Sequence, residues 1–161
     1  MQTKPLILCI LVLSTLNSQI NAQPDSVQIQ KVIDTFIDGL NTADTVSIRK
    51  CIDPNLGLLT VFSDGKKNII AAELPEMFLS SVARRSRHQY REEQYGCHID
   101  TDGIIASVWC NYVFYDNNKI AHCGVNAYQL YKIRKGWKII QITDSRKSFD
   151  CIPPIKETNN E

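Results

Sequence analysis

The chain has no hydrophobic run long enough to cross a membrane as a helix. Its longest apolar stretch, Pro5 to Leu16, is twelve residues, well short of the roughly 18–20 that a bilayer requires. No CxxC pair and no Cys/His spacing suited to zinc is present, so neither a zinc site nor another metal centre is expected. Excess charge is lacking too. Only Lys4 of the 18 basic residues precedes Ala22, so the remainder of the chain sets 17 basic against 17 acidic side chains. A neutral chain has no electrostatic footprint for nucleic acid or an anionic membrane. The one basic cluster, Arg84-Arg85-Ser86-Arg87, suits the negative pole of a helix end. Internal repeats, low-complexity blocks and internal linkers are also missing.

The start of the chain has the layout of a secretory signal peptide. Lys4 gives a positive n-region, the apolar run follows, and Gln19-Ile20-Asn21-Ala22 ends in a small residue, placing cleavage after Ala22. Cys9 lies inside the apolar run rather than after it, which argues against a lipoprotein anchor. The expectation is an exported protein, periplasmic or extracellular, with residues 1–22 removed and no membrane anchor. Export permits disulfides. The cysteines left are Cys51, Cys97, Cys110, Cys123 and Cys151, an odd number at spacings that match no small disulfide scaffold. Their pairing stays open, and buried free thiols are an equal expectation.

From Asp25 the periodicity is helical. Ile29, Val32, Ile33, Phe36, Ile37 and Leu40 form one apolar stripe, with Asp25 and Gln28 in capping-box positions. Thr42 or Asp44 caps a second short helix carrying Val46, Ile48 and Cys51, and Asp53-Pro54-Asn55 stops it. A short strand from Leu56 to Phe62 closes on the turn Ser63-Asp64-Gly65-Lys66. A third helix from about Ala72 to Arg85 tolerates Pro75 in its first turn. His88 to Ile99 reads as an outer strand, and three long runs then make a meander from Ile104 to Arg146. Pro153-Pro154 and the polar residues to Glu161 predict a disordered tail from residue 152. The class is α+β, one domain over residues 25–151 with three helices on one face of an antiparallel sheet.

Phe36-Ile37-Asp38-Gly39-Leu40-Asn41-Thr42-Ala43-Asp44, Asp53-Pro54-Asn55 and Gly136-Trp137-Lys138-Ile139, in this order of elements, resemble the NTF2-like superfamily, also called SnoaL-like. Ala106-Ser107-Val108-Trp109, Phe114-Tyr115, His122-Cys123-Gly124-Val125-Asn126 and Asp144-Ser145-Arg146 are similar to a bacterial branch known as nuclear transport factor 2 family or lumazine-binding proteins. The resemblance implies a cone-shaped fold, a curved sheet wrapped on the helices around a deep cavity, and a homodimer formed through the outer sheet face. The superfamily spans isomerases, dehydratases, cyclases, carriers and dimerisation modules, so fold alone names no function.

Candidate site residues lie in the meander. If Asn117-Asn118 forms a type I′ turn, one face gathers Val108, Cys110, Tyr112 and Phe114 with Ala121, Cys123, Val125 and Ala127. The other gathers Trp109, Asn111, Val113 and Tyr115 with Ile120, His122, Gly124, Asn126 and Tyr128. The first suits a helix-covered interior and offers Tyr112 but no carboxylate; the second is mixed. His122 titrates near neutrality when unperturbed, and Asp144 and Arg146 share one face of the last strand, so His122 with Asp144 are the candidate catalytic residues. A bulge at Gly136 would bring that face into line with His122, whereas a strict two-residue turn would not. Cys123 points away from His122 and is expected in the core. Trp109, Tyr112, Tyr115, His122 and Arg146 are the candidate ligand-binding residues. The leading expectation is a domain that binds a small apolar or aromatic molecule, without cofactor. The alternatives are an isomerase or cyclase using His122 with Asp144, and a homodimeric structural or interaction module.

Overall fold

The computed structural model describes residues 23–84 and 89–154. The stretch expected to be a signal peptide, most of the basic cluster and the tail from residue 155 lie outside the described residues. No described helix is long and apolar enough to cross a membrane.

Three helices and six strands follow one another as α1 (Asp25–Thr42), α2 (Thr45–Cys51), β1 (Ile52–Ser63), β2 (Asn68–Glu73), α3 (Pro75–Ala83), β3 (Tyr90–Thr101), β4 (Ile105–Asp116), β5 (Lys119–Ile133) and β6 (Gly136–Lys147). This is the expected α+β architecture with two differences. The first is β2: Asn68-Ile69-Ile70-Ala71-Ala72-Glu73 pairs antiparallel with β1, so α3 starts at Pro75 rather than Ala72. Its residues carry little burial signal because it is an outer strand, exposed on nearly every side chain. The second is that the sheet is mixed. Its order is β2-β1-β6-β5-β4-β3, and β1 runs parallel to β6 while every other pair is antiparallel.

The α1 stripe behaves as its spacing requires: Ile29, Ile33, Phe36, Ile37 and Leu40 are buried. The capping box does not form. Pro24 occupies the N-cap, and the Asp25 carboxylate instead accepts from Lys132 Nζ at 2.7 Å and Trp137 Nε1 at 3.3 Å, tying the helix start to β5 and β6. Asp44 does cap α2, accepting from the backbone N–H groups of Val46 and Ser47 at 3.0 and 3.1 Å. The core lies between the helices and the inner sheet face, where Val108, Cys110, Tyr128, Leu130, Ile139 and Ile142 meet Ile29, Ile33, Phe36 and Val82.

The meander begins as its turn dictates. Asn117 and Asn118 take φ of 49° and 64°, and Asp116 pairs with Lys119 and Tyr115 with Ile120. Ala121 is then extra on β5, and from there Phe114 faces His122, Tyr112 faces Gly124 and Cys110 faces Asn126. One extra residue moves every later β5 side chain to the other face of the sheet. From His122 onward the grouping of β5 residues survives, but Ile120 is split from it and stays with Tyr115, and the match across strands does not hold. His122, Asn126 and Tyr128 are therefore inside with Tyr112, while Cys123, Val125 and Ala127 are outside with Trp109 and Val113. Cys123 is thus not part of the main core. It is buried in a small cluster on the opposite face with Val113 and Tyr115, and it is bonded to Cys151. A second disulfide joins Cys97 to Cys110, leaving Cys51 buried and free. Four of the five cysteines are thus bridged rather than free thiols.

Between β5 and β6 the turn is a strict two-residue one, Ile133 facing Gly136, and the irregularity falls at Ile140 instead of Gly136. Beyond it Asn126 faces Asp144 and Gly124 faces Arg146. Asp144 and Arg146 consequently share the inner face with His122.

Candidate functional site

A cavity of about 650 Å³ lies between α1, α3 and the inner sheet face. Phe36, Leu40, Leu58, Phe78, Val82, Phe114 and Ile142 give it apolar walls; Thr60, Glu92, Tyr112, His122, Asn126, Asp144 and Arg146 bring polar groups to the same space. A second recess of about 490 Å³ shares Phe62, Tyr112 and Arg146 with it and continues past Asn111, Ser145 and Lys147.

Four of the residues singled out from the sequence meet in the main cavity: Tyr112, His122, Asp144 and Arg146. Trp109 and Tyr115 do not. Both lie on the opposite sheet face, Trp109 exposed and Tyr115 buried under Arg91 with its hydroxyl donating to Glu93 Oε2 at 3.0 Å. The one-residue alternation of β4 separates them from Tyr112.

The cavity does hold carboxylates, contrary to the apolar inner face expected. Asp144 accepts from Thr60 Oγ1 at 2.6 Å, has the Tyr112 hydroxyl 3.4 Å away, and stands 3.5 Å from the Arg146 guanidinium. Tyr112 donates to the Ser145 carbonyl at 3.1 Å, a path kept open because Gly124 has no side chain. A Cβ there would fall 1.8 Å from that same oxygen. Burial and the neighbouring Asp144 charge push the Tyr112 phenol well above its usual range, so it stays protonated.

Glu92 is the second carboxyl. It sits on β3, the edge strand, and the Asn41 amide holds its backbone at both ends. Asn41 Nδ2 donates to the Glu92 carbonyl at 2.9 Å, and the Glu92 N–H donates to Asn41 Oδ1 at 2.7 Å. An edge strand leaves these groups unpaired, and the side chain at the end of α1 substitutes for the missing strand. The carboxyl points inward. Asn126 Nδ2 and Gln94 Nε2 donate to its Oε1 at 2.7 and 3.1 Å, and Gln94 also bonds the Tyr128 hydroxyl. Glu92 is half-buried and lines the cavity. Desolvation raises its pKa to about 7, with the Asp144 charge adding to the rise against the two amide hydrogen bonds.

His122 is not paired with Asp144; no hydrogen bond joins them. Its ring stacks on Phe114 at 4.7 Å and meets Tyr112 edge-on at 5.8 Å. Desolvation, with the Arg146 charge, lowers its pKa to about 4. It is a neutral aromatic wall at physiological pH, not a base poised near neutrality.

Glu92, Asn126, Tyr128 and Thr60 were absent from the candidate set. Asn126 and Tyr128 stood on the same face of β5 as His122 and were missed only through the cross-strand match. Glu92 needed a further bulge, at Gly96 and Cys97, where β3 shifts register against β4. Gly96 has φ of 60°, and a glycine within a strand is the sequence signal of such a bulge.

No family model and no curated protein matches the chain. Solved structures do. A protein of unknown function from Mycobacterium tuberculosis superposes with a TM-score of 0.63 at 17% identity, over 76% of this chain and 72% of that one. An NTF2-like protein of unknown function from Shewanella baltica gives 0.58 at 14% identity, over 76% and 94%. A protein with a cystatin-like fold from Nostoc punctiforme gives 0.61 at 14%, over 78% and 93%. The fold is NTF2-like.

Proposed function

We propose that this NTF2-like domain binds a small molecule with an apolar or aromatic body in the cavity between its helices and sheet. The observation that carries the reading is the 650 Å³ space itself, walled by apolar side chains with a few convergent polar groups along β3, β5 and β6. Ligand sites are commonly of this size and make-up. A thermal-shift screen of small aromatic and alicyclic compounds tests it, since a ligand that prefers the folded state raises apparent stability. A saturable rise is expected, lost in Leu58→Trp, whose indole fills the cavity. Absence of any stabilising compound, or stabilisation that survives Leu58→Trp, contradicts the reading.

A catalytic alternative is favoured by one observation: a carboxyl near pKa 7 shares the cavity with Asp144 and the protonated Tyr112. In that reading of isomerase or cyclase type, Glu92 moves the proton and His122 only packs. Exchange of α-hydrogens of a bound ketone with D2O tests it, and exchange unchanged in Glu92→Gln removes it.

Export and dimerisation belong to the same proposal. Two disulfides among the described residues suit an oxidising compartment. Trp109, 58% exposed on the outer sheet face beside Ala127, suits burial against a second copy.

A further inference from the structure

Resting on the cavity-binding reading, we infer that the ligand is a lipophilic organic cation, its ammonium paired with the Glu92 carboxylate and its hydrocarbon body among the aromatic walls.

The side-chain hydrogen bonds at Glu92 are all accepted by one carboxyl oxygen, Oε1, and each is compatible with the ionised form. Both side-chain partners, Asn126 Nδ2 and Gln94 Nε2, are donors, and both reach the same oxygen. Gln94 Oε1, turned away from Glu92 in this arrangement, is buried without a partner. Yet no cation touches the carboxyl among the described residues. A buried carboxylate supported only by neutral amides is left short of the pairing that buried charges require. Asp144 is different, because Thr60, Tyr112 and Arg146 already surround it. The vacant ionic position is at Glu92.

The surroundings favour a positive guest. Among the described residues, Glu73, Glu92 and Asp144 line the cavity with one permanent cation, Arg146. Seven phenylalanine and tyrosine rings, Phe36, Phe62, Phe78, Tyr90, Tyr112, Phe114 and Tyr128, line it as well, and the faces of aromatic rings attract cations. His122 does not compete, since it stays uncharged above pH of about 4. An anionic guest would meet the carboxylates of Glu92 and Asp144 and gain only Arg146, which Asp144 already occupies.

Glu92 must ionise to receive the cation, so affinity follows its proton. The groups facing it from the packed elements are Tyr112 on β4, His122 and Tyr128 on β5, and Asp144 and Arg146 on β6. Tyr112 and Tyr128 remain protonated and His122 neutral through this range. With Glu92 titrating at about 7, its ionised fraction falls roughly tenfold between pH 8 and pH 6, while an alkylammonium keeps its charge.

Isothermal titration of the intact protein with 4-phenylbutylammonium, 4-phenylbutanol and 4-phenylbutyrate decides the matter. At pH 8 the ammonium is expected to bind at least tenfold more tightly than the alcohol, with the butyrate weakest. At pH 6 that advantage should shrink by about tenfold, and at pH 7 binding should release a fraction of a proton, read from buffers of different ionisation enthalpy. Glu92→Gln, shown to be folded by circular dichroism, should reduce the advantage to less than threefold. Alcohol or butyrate binding as tightly as the ammonium overturns the cation assignment and leaves the cavity reading standing. No binding by any of the three overturns both.

Discussion

Glu92 and His122 are titratable groups lining the same cavity, and burial moves them in opposite directions. The folded Glu92 carboxyl titrates at about 7 against 4.5 for an ordinary glutamate. Between those values the folded protein binds the proton that the unfolded chain has released, so this residue's contribution to stability falls as pH rises from 4.5 to 7. His122 titrates at about 4 against 6.5. Between those values the unfolded chain binds the extra proton, so its contribution falls as pH drops from 6.5 to 4. Each shift is worth on the order of 3 kcal/mol. The two oppose each other between pH 4.5 and 6.5, and the native protein hides both there. Single variants uncover them. Relative to the native chain, Glu92→Gln should gain about 3 kcal/mol on going from pH 4.5 to pH 8, measured by urea unfolding. His122→Gln should gain a similar amount on going from pH 7 to pH 4. A flat difference across either window refutes the burial assigned to that side chain.

At the scale of elements, the site depends on where strands gain a residue. Asn41 and Gly124 are the two positions that hold this geometry most directly. Asn41→Ala leaves the Glu92 N–H and carbonyl without partners at the sheet edge; a loss of about 1–3 kcal/mol is expected, with amide exchange quickening first at Glu92. Gly124→Ala forces a methyl against the Ser145 carbonyl, and a loss at or above the upper end of about 1–3 kcal/mol is expected, with Tyr112 displaced from that carbonyl. These strands also explain what was legible beforehand. The α1 stripe, the Asp44 cap and the Asn117-Asn118 turn are local, so periodicity and turn chemistry place them. The extra residues at Ala121 and Ile140 are set by packing between strands and leave little local mark, while the one at Gly96 is marked by its glycine alone. Each reverses which side chains enter the cavity. Hence Tyr112, Asp144 and Arg146 were seen as candidates, while Glu92 was read as part of a polar outer strand. β2 was missed because both its faces are exposed.

Across the whole molecule, the first and last strands pair in parallel and the chain beyond β6 returns over the outer face. Cys151 bonds Cys123 there, and the Tyr95 hydroxyl donates to the Ile152 carbonyl at 2.9 Å. Breaking that bridge with Cys123→Ser should cost about 2–4 kcal/mol and leave the cavity, on the other face, able to bind. Sedimentation at micromolar concentration tests the outer face, where Trp109→Glu is expected to convert a dimer to a monomer. The cavity chemistry requires Glu92 to be inside. Carbon-13 NMR titration of the glutamate carboxyls reads that directly: one resonance, absent in Glu92→Gln, should titrate at about 7. A Glu92 carboxyl that titrates near the ordinary 4.5 would place it in water and contradict the register, the cavity and the ligand chemistry built on them.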